Sequence, residues 1–270
     1  MPGQGLIDLS DVGDLTSVLD LEVLDRDLFR GRNADHGPAE RHALFGGQVA
    51  AQALRAAGHT VEGDRHPHSL HGYFLRRGRT EIPVIYRVER DRDGGSFSAR
   101  HVRAIQRGEV IFSMLASFHG DEPSGHFERD DERTPPPPEE IEPAASWDAL
   151  VETREITTTD EATGRHPDFL WLRAATPLPD DRLTQACGLT YLSDFGSGFG
   201  QISIDGLAQG GPSIDHTMWF HQPIAADDWV AFEMQPAKAG GSRGLYNGSM
   251  RDRHGRLGAL VSQEILLRDR

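Results

Sequence analysis

Three side chains from well-separated stretches could do acid–base chemistry together: Asp194 in TYLSDFGSG, Ser213 in GGPSIDH and Gln263 in LGALVSQEILLR. A carboxylate can take a proton from water, while a hydroxyl and an amide can hold that water in place. Gln263 is the most informative of the three. In the final segment, residues 257–268, strand alternation puts Leu257, Ala259, Val261, Gln263, Ile265 and Leu267 on one face, and Gln263 is its only polar member. A buried amide left unpaired costs about 1–3 kcal/mol, so Gln263 needs a fixed partner. Counted from the turn glycines Gly108 and Gly255, the equivalent residue of the first half is Ala116, so this polar group belongs to the second half alone. Asp194 ends a helical stretch, where the helix dipole disfavours a carboxylate. Ser213 immediately precedes a strand, and alternation groups it with Asp215, Thr217 and Trp219. Plainer readings stay open for each: Gln263 serving a backbone group, Asp194 a solvated helix end, Ser213 a hydroxyl serving a turn.

The elements that must position these groups occur twice. In the first half FGGQVAAQALRAAG predicts a helix ending at Gly58, followed by strands HSLHGYFL, VIYRVERD, SFSARHVRAIQ and VIFSMLASF. In the second, RLTQACGLTYLSDF predicts the helix, and HTMWFHQPI, WVAFEMQPA, RGLYNGSMRD and LGALVSQEILLR the strands. The spacing repeats as well. His71 precedes Gly95 by 24 residues and His216 precedes Gly241 by 25, and the next turn glycines, Gly108 and Gly255, follow after 13 and 14. Such self-similarity supports an α+β chain with a tandem repeat. Between the halves lies an acidic stretch with four consecutive prolines, which reads as an extended linker. The expected organisation is thus residues 1–120, a linker over 121–145, and residues 146–270.

Composition narrows the function classes. The net charge of −14, from 42 acidic and 28 basic residues, argues against nonspecific nucleic-acid binding. No apolar run approaches the roughly 20 residues needed to span a bilayer, and the acidic N-terminus does not read as a secretory signal. One cysteine, Cys187, excludes an intrachain disulfide framework and fits a reducing, cytoplasmic setting. Nine arginines between Arg76 and Arg107 form either an anion-binding patch or solvated strand faces. Gly240-Gly241-Ser242-Arg243-Gly244 matches the G-x-S-x-G elbow formally, but a strand follows it where the elbow needs a helix. His66, His68 and His71 lack a completing carboxylate or cysteine and alternation separates His71 from the others, so no metal is expected.

Eight segments in order, FGGQVAAQAL, HSLHGYFL, RDGGSFSARHV, IQRGEVIFSMLASF, TYLSDF, SIDHTMWFH, SRGLYNGSM and SQEILLR, resemble the successive motifs of the acyl-CoA thioesterase II (TesB-like) family. The likeness covers nearly the whole chain except the acidic proline stretch. FLRRG stands where the family usually has FLRPG, and RDGGSF where arginine or asparagine often replaces the second glycine. The resemblance implies a tandem (double) hotdog fold, each repeat an antiparallel sheet around a central helix. It further implies hydrolysis of fatty acyl-CoA to fatty acid and CoA without a cofactor, with Asp194, Ser213 and Gln263 as the catalytic set. Water held by Ser213 and Gln263 would attack the thioester while Asp194 takes its proton; direct attack by Asp194 is the variant. Gly46, Gly47 and Gln48 at the start of the first helix are expected to offer substrate-binding N–H groups. Alternatives on the same scaffold are a noncatalytic acyl-CoA-binding regulator and a hydratase, although the Asp and His pair of a hydratase-type loop is not found. Exposed sheet edges predict a homo-oligomer.

Overall fold

The computed structural model describes residues 13–34, 43–128, 135–144, 146–157, 168–196 and 211–268. The acidic N-terminus, the last two residues and part of the proline stretch lie outside the described residues. The chain runs α1 (Leu15–Leu19), β1 (Glu22–Asp25), β2 (Leu28–Gly31), α2 (Gly46–Gly58), β3 (His66–Phe74), β4 (Val84–Asp93), β5 (Phe97–Gln106) and β6 (Glu109–His119). The second half runs β7 (Val151–Thr157), β8 (Asp168–Ala174), α3 (Arg182–Leu192), β9 (Asp215–Phe220), β10 (Val230–Gly240), β11 (Arg243–Asp252) and β12 (Leu257–Leu266).

Among the described residues, twelve strands join one sheet in the order β1-β2-β4-β5-β6-β3-β9-β12-β11-β10-β8-β7. Every named pair is antiparallel, and the order reads the same from either end once β1–β6 are matched to their second-half counterparts. The halves meet at β3 and β9, which pair from Ser69↔Trp219 to Tyr73↔Asp215. The repeat seen in the sequence is therefore a pseudo-twofold with a continuous sheet through its axis. Four edge strands and α1 are additions to the sequence reading. β1 has all four residues exposed, so it carries no alternation by which to recognise it.

Helices α2 and α3 pack on one face of this sheet. Helix α2 buries ten of its thirteen residues, five of them alanine, and a helix with so little exposed surface belongs inside. Its two buried glutamines are fully engaged. Gln52 donates to Val18 O and Arg32 O and accepts from the Tyr86 hydroxyl, while Gln48 accepts from Ala34 N–H and donates to Asn33 Oδ1. Helix α3 is capped by Asp181, whose carboxylate accepts from Thr184 N–H at 2.8 Å, a contact worth about 1 kcal/mol. Helix α2 has no side-chain cap from its own Phe45. The two helices run in opposite directions, for Gly47 at the start of α2 meets Tyr191 near the end of α3, and Gly58 meets Leu183.

The described part of the proline stretch docks on the opposite face. The Trp171 indole donates to Pro136 O, and Ile141 packs on a cluster of Phe169, Trp171, Trp229 and Ala231. Arg154 and Arg173 stack over Trp229. No described helix is long and apolar enough to cross a membrane.

Candidate active site

Asp194, Ser213 and Gln263 converge where α3 ends and α2 begins. Gln263 Nε2 donates to Asp194 Oδ1 at 2.9 Å and also bonds Ser213 Oγ, while the Ser213 hydroxyl donates to Asp194 Oδ1 at 3.3 Å. Gln263 lies in the predicted row of β12, and Leu257, Ala259, Val261, Ile265 and Leu267 are all buried beside it. Ser213 reaches the site only because the strand pattern breaks. It makes an isolated bridge to Ile265, one register step away from the Ser262↔Thr217 pairing of β9. The expected grouping of Ser213 with Asp215, Thr217 and Trp219 is thereby corrected. The Asp215 carboxylate instead caps Glu264 N–H on the outer face.

The start of the first helix faces the same carboxylate. The N–H of Gly47 is not free, because it donates to Asp194. The carboxylate thus serves as the N-terminal cap that α2 lacks, supplied from the other half of the chain. A Cβ on Gly46 would lie 2.6 Å from Asp194 Oδ2, and one on Gly47 would lie 2.5 Å from Tyr191 O. Two glycines are needed here for the helix to approach this closely. Gln48 is buried and holds Ala34 and Asn33, so its side chain does not face the three residues.

Burial pushes the Asp194 carboxyl above its ordinary value, opposed by the field of His216 and by hydrogen bonds from Gln263, Gly47 and Ser213. A carboxylate disfavoured at the C-terminus of α3 is thus relieved by the N-terminus of α2. Desolvation remains the largest influence on it, and the carboxyl stays above the ordinary carboxylate value.

Three neighbours are additions to the sequence reading. His216 Nδ1 bonds Gln263 Oε1, the Tyr246 hydroxyl donates to the same oxygen at 2.9 Å, and Ser193 Oγ lies 2.7 Å from His216 Nε2. All three are buried. Register counting across β9 and β12 is the signal that finds His216. Spacing alone had matched it to His71, whereas cross-strand pairing matches it to Leu70, the residue opposite Ala116.

The first half contains the counterpart of the site without its carboxylate and amide. Thr60, two residues beyond α2 as Asp194 is beyond α3, accepts from Arg100 Nε at 2.7 Å. Arg100 is 1% exposed and ion-pairs with Asp93 at 2.7 Å.

Other candidates resolve structurally. Cys187 is buried and its thiol is pushed up to about 12 by that burial, which removes it as a nucleophile. Ser242 sits at positive φ in the β10–β11 turn. His71 packs edge-on against Trp219, whereas His68 bonds Ser117. Of the nine arginines, Arg76, Arg79, Arg90, Arg100 and Arg103 are committed to Glu109, Glu81, Asp27, Asp93 and Glu89, so the run is not one open patch.

A central helix packed on an antiparallel sheet, repeated in one chain about a pseudo-twofold, defines a double hotdog protein. The models for the acyl-CoA thioesterase N-terminal and C-terminal domains match residues 35–119 and 127–267. The chain is 37% identical to human acyl-coenzyme A thioesterase 8, over 98% of this chain and 94% of that one. It is 34% identical to acyl-CoA thioesterase 2 of Haemophilus influenzae, over 96% and 99%. Among solved structures, acyl-CoA thioesterase II TesB2 from Mycobacterium marinum superposes with a TM-score of 0.80 at 35% identity, covering 94% of this chain and 97% of that one. A hot dog fold protein from Alicyclobacillus acidocaldarius shares the fold at a TM-score of 0.76 and 17% identity, covering 94% and 97%. The chain belongs to the acyl-CoA thioesterase family, a family of thioester hydrolases.

Proposed function

We propose that this chain hydrolyses fatty acyl-CoA to fatty acid and CoA, with Asp194 as general base and Ser213 and Gln263 positioning the attacking water. The observation that carries this is the carboxylate of Asp194 meeting the Gln263 amide at 2.9 Å at the mouth of helix α2. Asp194 takes a proton from water as its oxygen adds to the thioester carbonyl carbon. Collapse of the tetrahedral intermediate breaks the C–S bond, and the proton returns to the departing CoA sulfur. Gly46, Gly47 and Gln48 serve the substrate through the helix N-terminus, with Gly47 sharing its N–H with Asp194. Arg77 is exposed on the loop after β3, whose Phe74 abuts Gly46, and offers a cation to the CoA phosphates.

Residues 1–120 and 146–270 act as the two hotdog domains flanking a linker over 121–145, a division supported by the palindromic sheet order. A cytoplasmic setting accords with a single, buried cysteine. Homo-oligomer formation is supported by the outer face of the sheet. There Tyr73, Leu115, Trp219 and Leu260 are 58%, 52%, 39% and 38% exposed on neighbouring strands.

The test is release of free thiol from a panel running from butanoyl-CoA to stearoyl-CoA, with a 2,3-enoyl-CoA included. Hydrolysis of the saturated members supports the proposal. Hydration of the enoyl compound without thiol release, or binding without turnover, would replace it with the hydratase or the regulator.

A further inference from the structure

We propose that His216 is the positioning residue that sets which end of the Gln263 amide faces Asp194. This rests on the hydrolase reading above and adds a residue to it. An amide has one accepting end and one donating end, and Gln263 has a distinct set of neighbours for each. Its Oε1 accepts from His216 Nδ1 and from the Tyr246 hydroxyl, and its Nε2 donates to Asp194 and Ser213. Turned over, Gln263 would set its carbonyl oxygen against the Asp194 carboxylate and its N–H2 against the donors of His216 and Tyr246. Tyr246 cannot fix the choice alone, because its hydroxyl also reaches Gly196 O at 3.0 Å.

His216 is suited to that task. Its ring is fully buried and held at the far edge by Ser193 Oγ, which is itself anchored 2.9 Å from Thr190 O in the last turn of α3. The chain Thr190, Ser193, His216, Gln263 therefore runs from the end of α3, which Asp194 follows, through β9, to β12, and back to Asp194. An amide held within a few tenths of an ångström matters because a misplacement of about 1 Å in a site costs about 100-fold in rate. In the first half, Leu70 stands at the place of His216 and Ala116 at that of Gln263, so the pair is absent together.

The experiment compares steady-state thiol release from octanoyl-CoA by wild type, His216→Leu, His216→Asn and His216→Gln, each checked for folding by circular dichroism. Asparagine carries an N–H close to the position of Nδ1, whereas glutamine extends toward Ser193 instead. The expected result is a kcat about 100-fold lower for leucine with KM changed less than about threefold, and asparagine within about tenfold of wild type. Leucine at full kcat, or asparagine and leucine equally impaired, would overturn the assignment. If the leucine variant does not fold, the asparagine–glutamine contrast decides: asparagine well above glutamine supports it, and equal rates overturn it. A wild type that folds but releases no thiol would bring down the hydrolase reading itself, an outcome distinct from these.

Discussion

Arg100 and Tyr246 hold equivalent places in the two halves, Arg100 opposite Ala116 and Tyr246 opposite Gln263. Tyr246 completes the polar site of the second half by bonding Gln263. Arg100 fills its counterpart, donating to Thr60 Oγ1, Thr60 O, Arg92 O, Ala99 O and Asp93 Oδ1. One half of the pseudo-twofold thus carries the Asp194, Ser213 and Gln263 cluster while a guanidinium fills the equivalent place in the other.

Replacing Arg100 with leucine should therefore cost stability and spare the chemistry. The loss of a buried donor set with charge-assisted bonds is expected to lower unfolding free energy by about 2–3 kcal/mol, allowing for the half-exposed Asp93 partner. Urea denaturation measures this. The kcat of the folded fraction should stay within about threefold of wild type, since no Arg100 atom contacts the Asp194 cluster. A selective loss of kcat in a stable variant would contradict the division of labour between the halves.

Gly46 should tolerate no side chain. An added methyl would sit 2.6 Å from Asp194 Oδ2 and 2.9 Å from Phe74 Cζ, so either the carboxylate or the helix must move. Gly46→Ala is expected to reduce kcat by about 10- to 100-fold. Gly95→Ala is the control, because a methyl there meets nothing within 4 Å and should leave kinetics unchanged.

The pH dependence carries a definite sign. Burial raises the Asp194 carboxyl, and the base must be ionised to accept a proton, so the acid limb of kcat/KM should lie above the ordinary value of 3.8. The same shift acts on stability. A raised carboxyl in the folded state means the native protein binds more protons than the unfolded one through this interval. Asp194's contribution is then most favourable below the unfolded value and is lost as pH rises through the folded value. The unfolding free energy of wild type relative to Asp194→Asn should accordingly fall with rising pH. A difference that rises with pH would contradict burial as the dominant cause.

Much of this architecture was legible because it rests on local pattern. The alanine-rich run 45–58 reads as a buried helix, and the single polar member of the β12 row marks Gln263. What the pattern could not supply depends on register and on contacts across the pseudo-twofold. Ser213 has the wrong parity for the site unless one knows that the bridge to Ile265 is out of step with β9. His216 hides in a row shared with buried Met218 and is linked to Gln263 only by pairing geometry. The capping of α2 by Asp194 joins residues nearly 150 positions apart, for which no spacing rule exists. Edge strand β1 carries no alternation because neither of its faces is buried.

The most direct test of the central claim is thiol release from octanoyl-CoA by wild type, Asp194→Ala and Gln263→Ala, under conditions where all three are shown to be folded. We expect kcat to fall by about 100- to 10,000-fold without Asp194 and by about 100- to 1,000-fold without Gln263. The double variant should be little worse than Asp194→Ala alone, because the two side chains hold one water. Folded variants that keep wild-type kcat would contradict a role for the pair in hydrolysis.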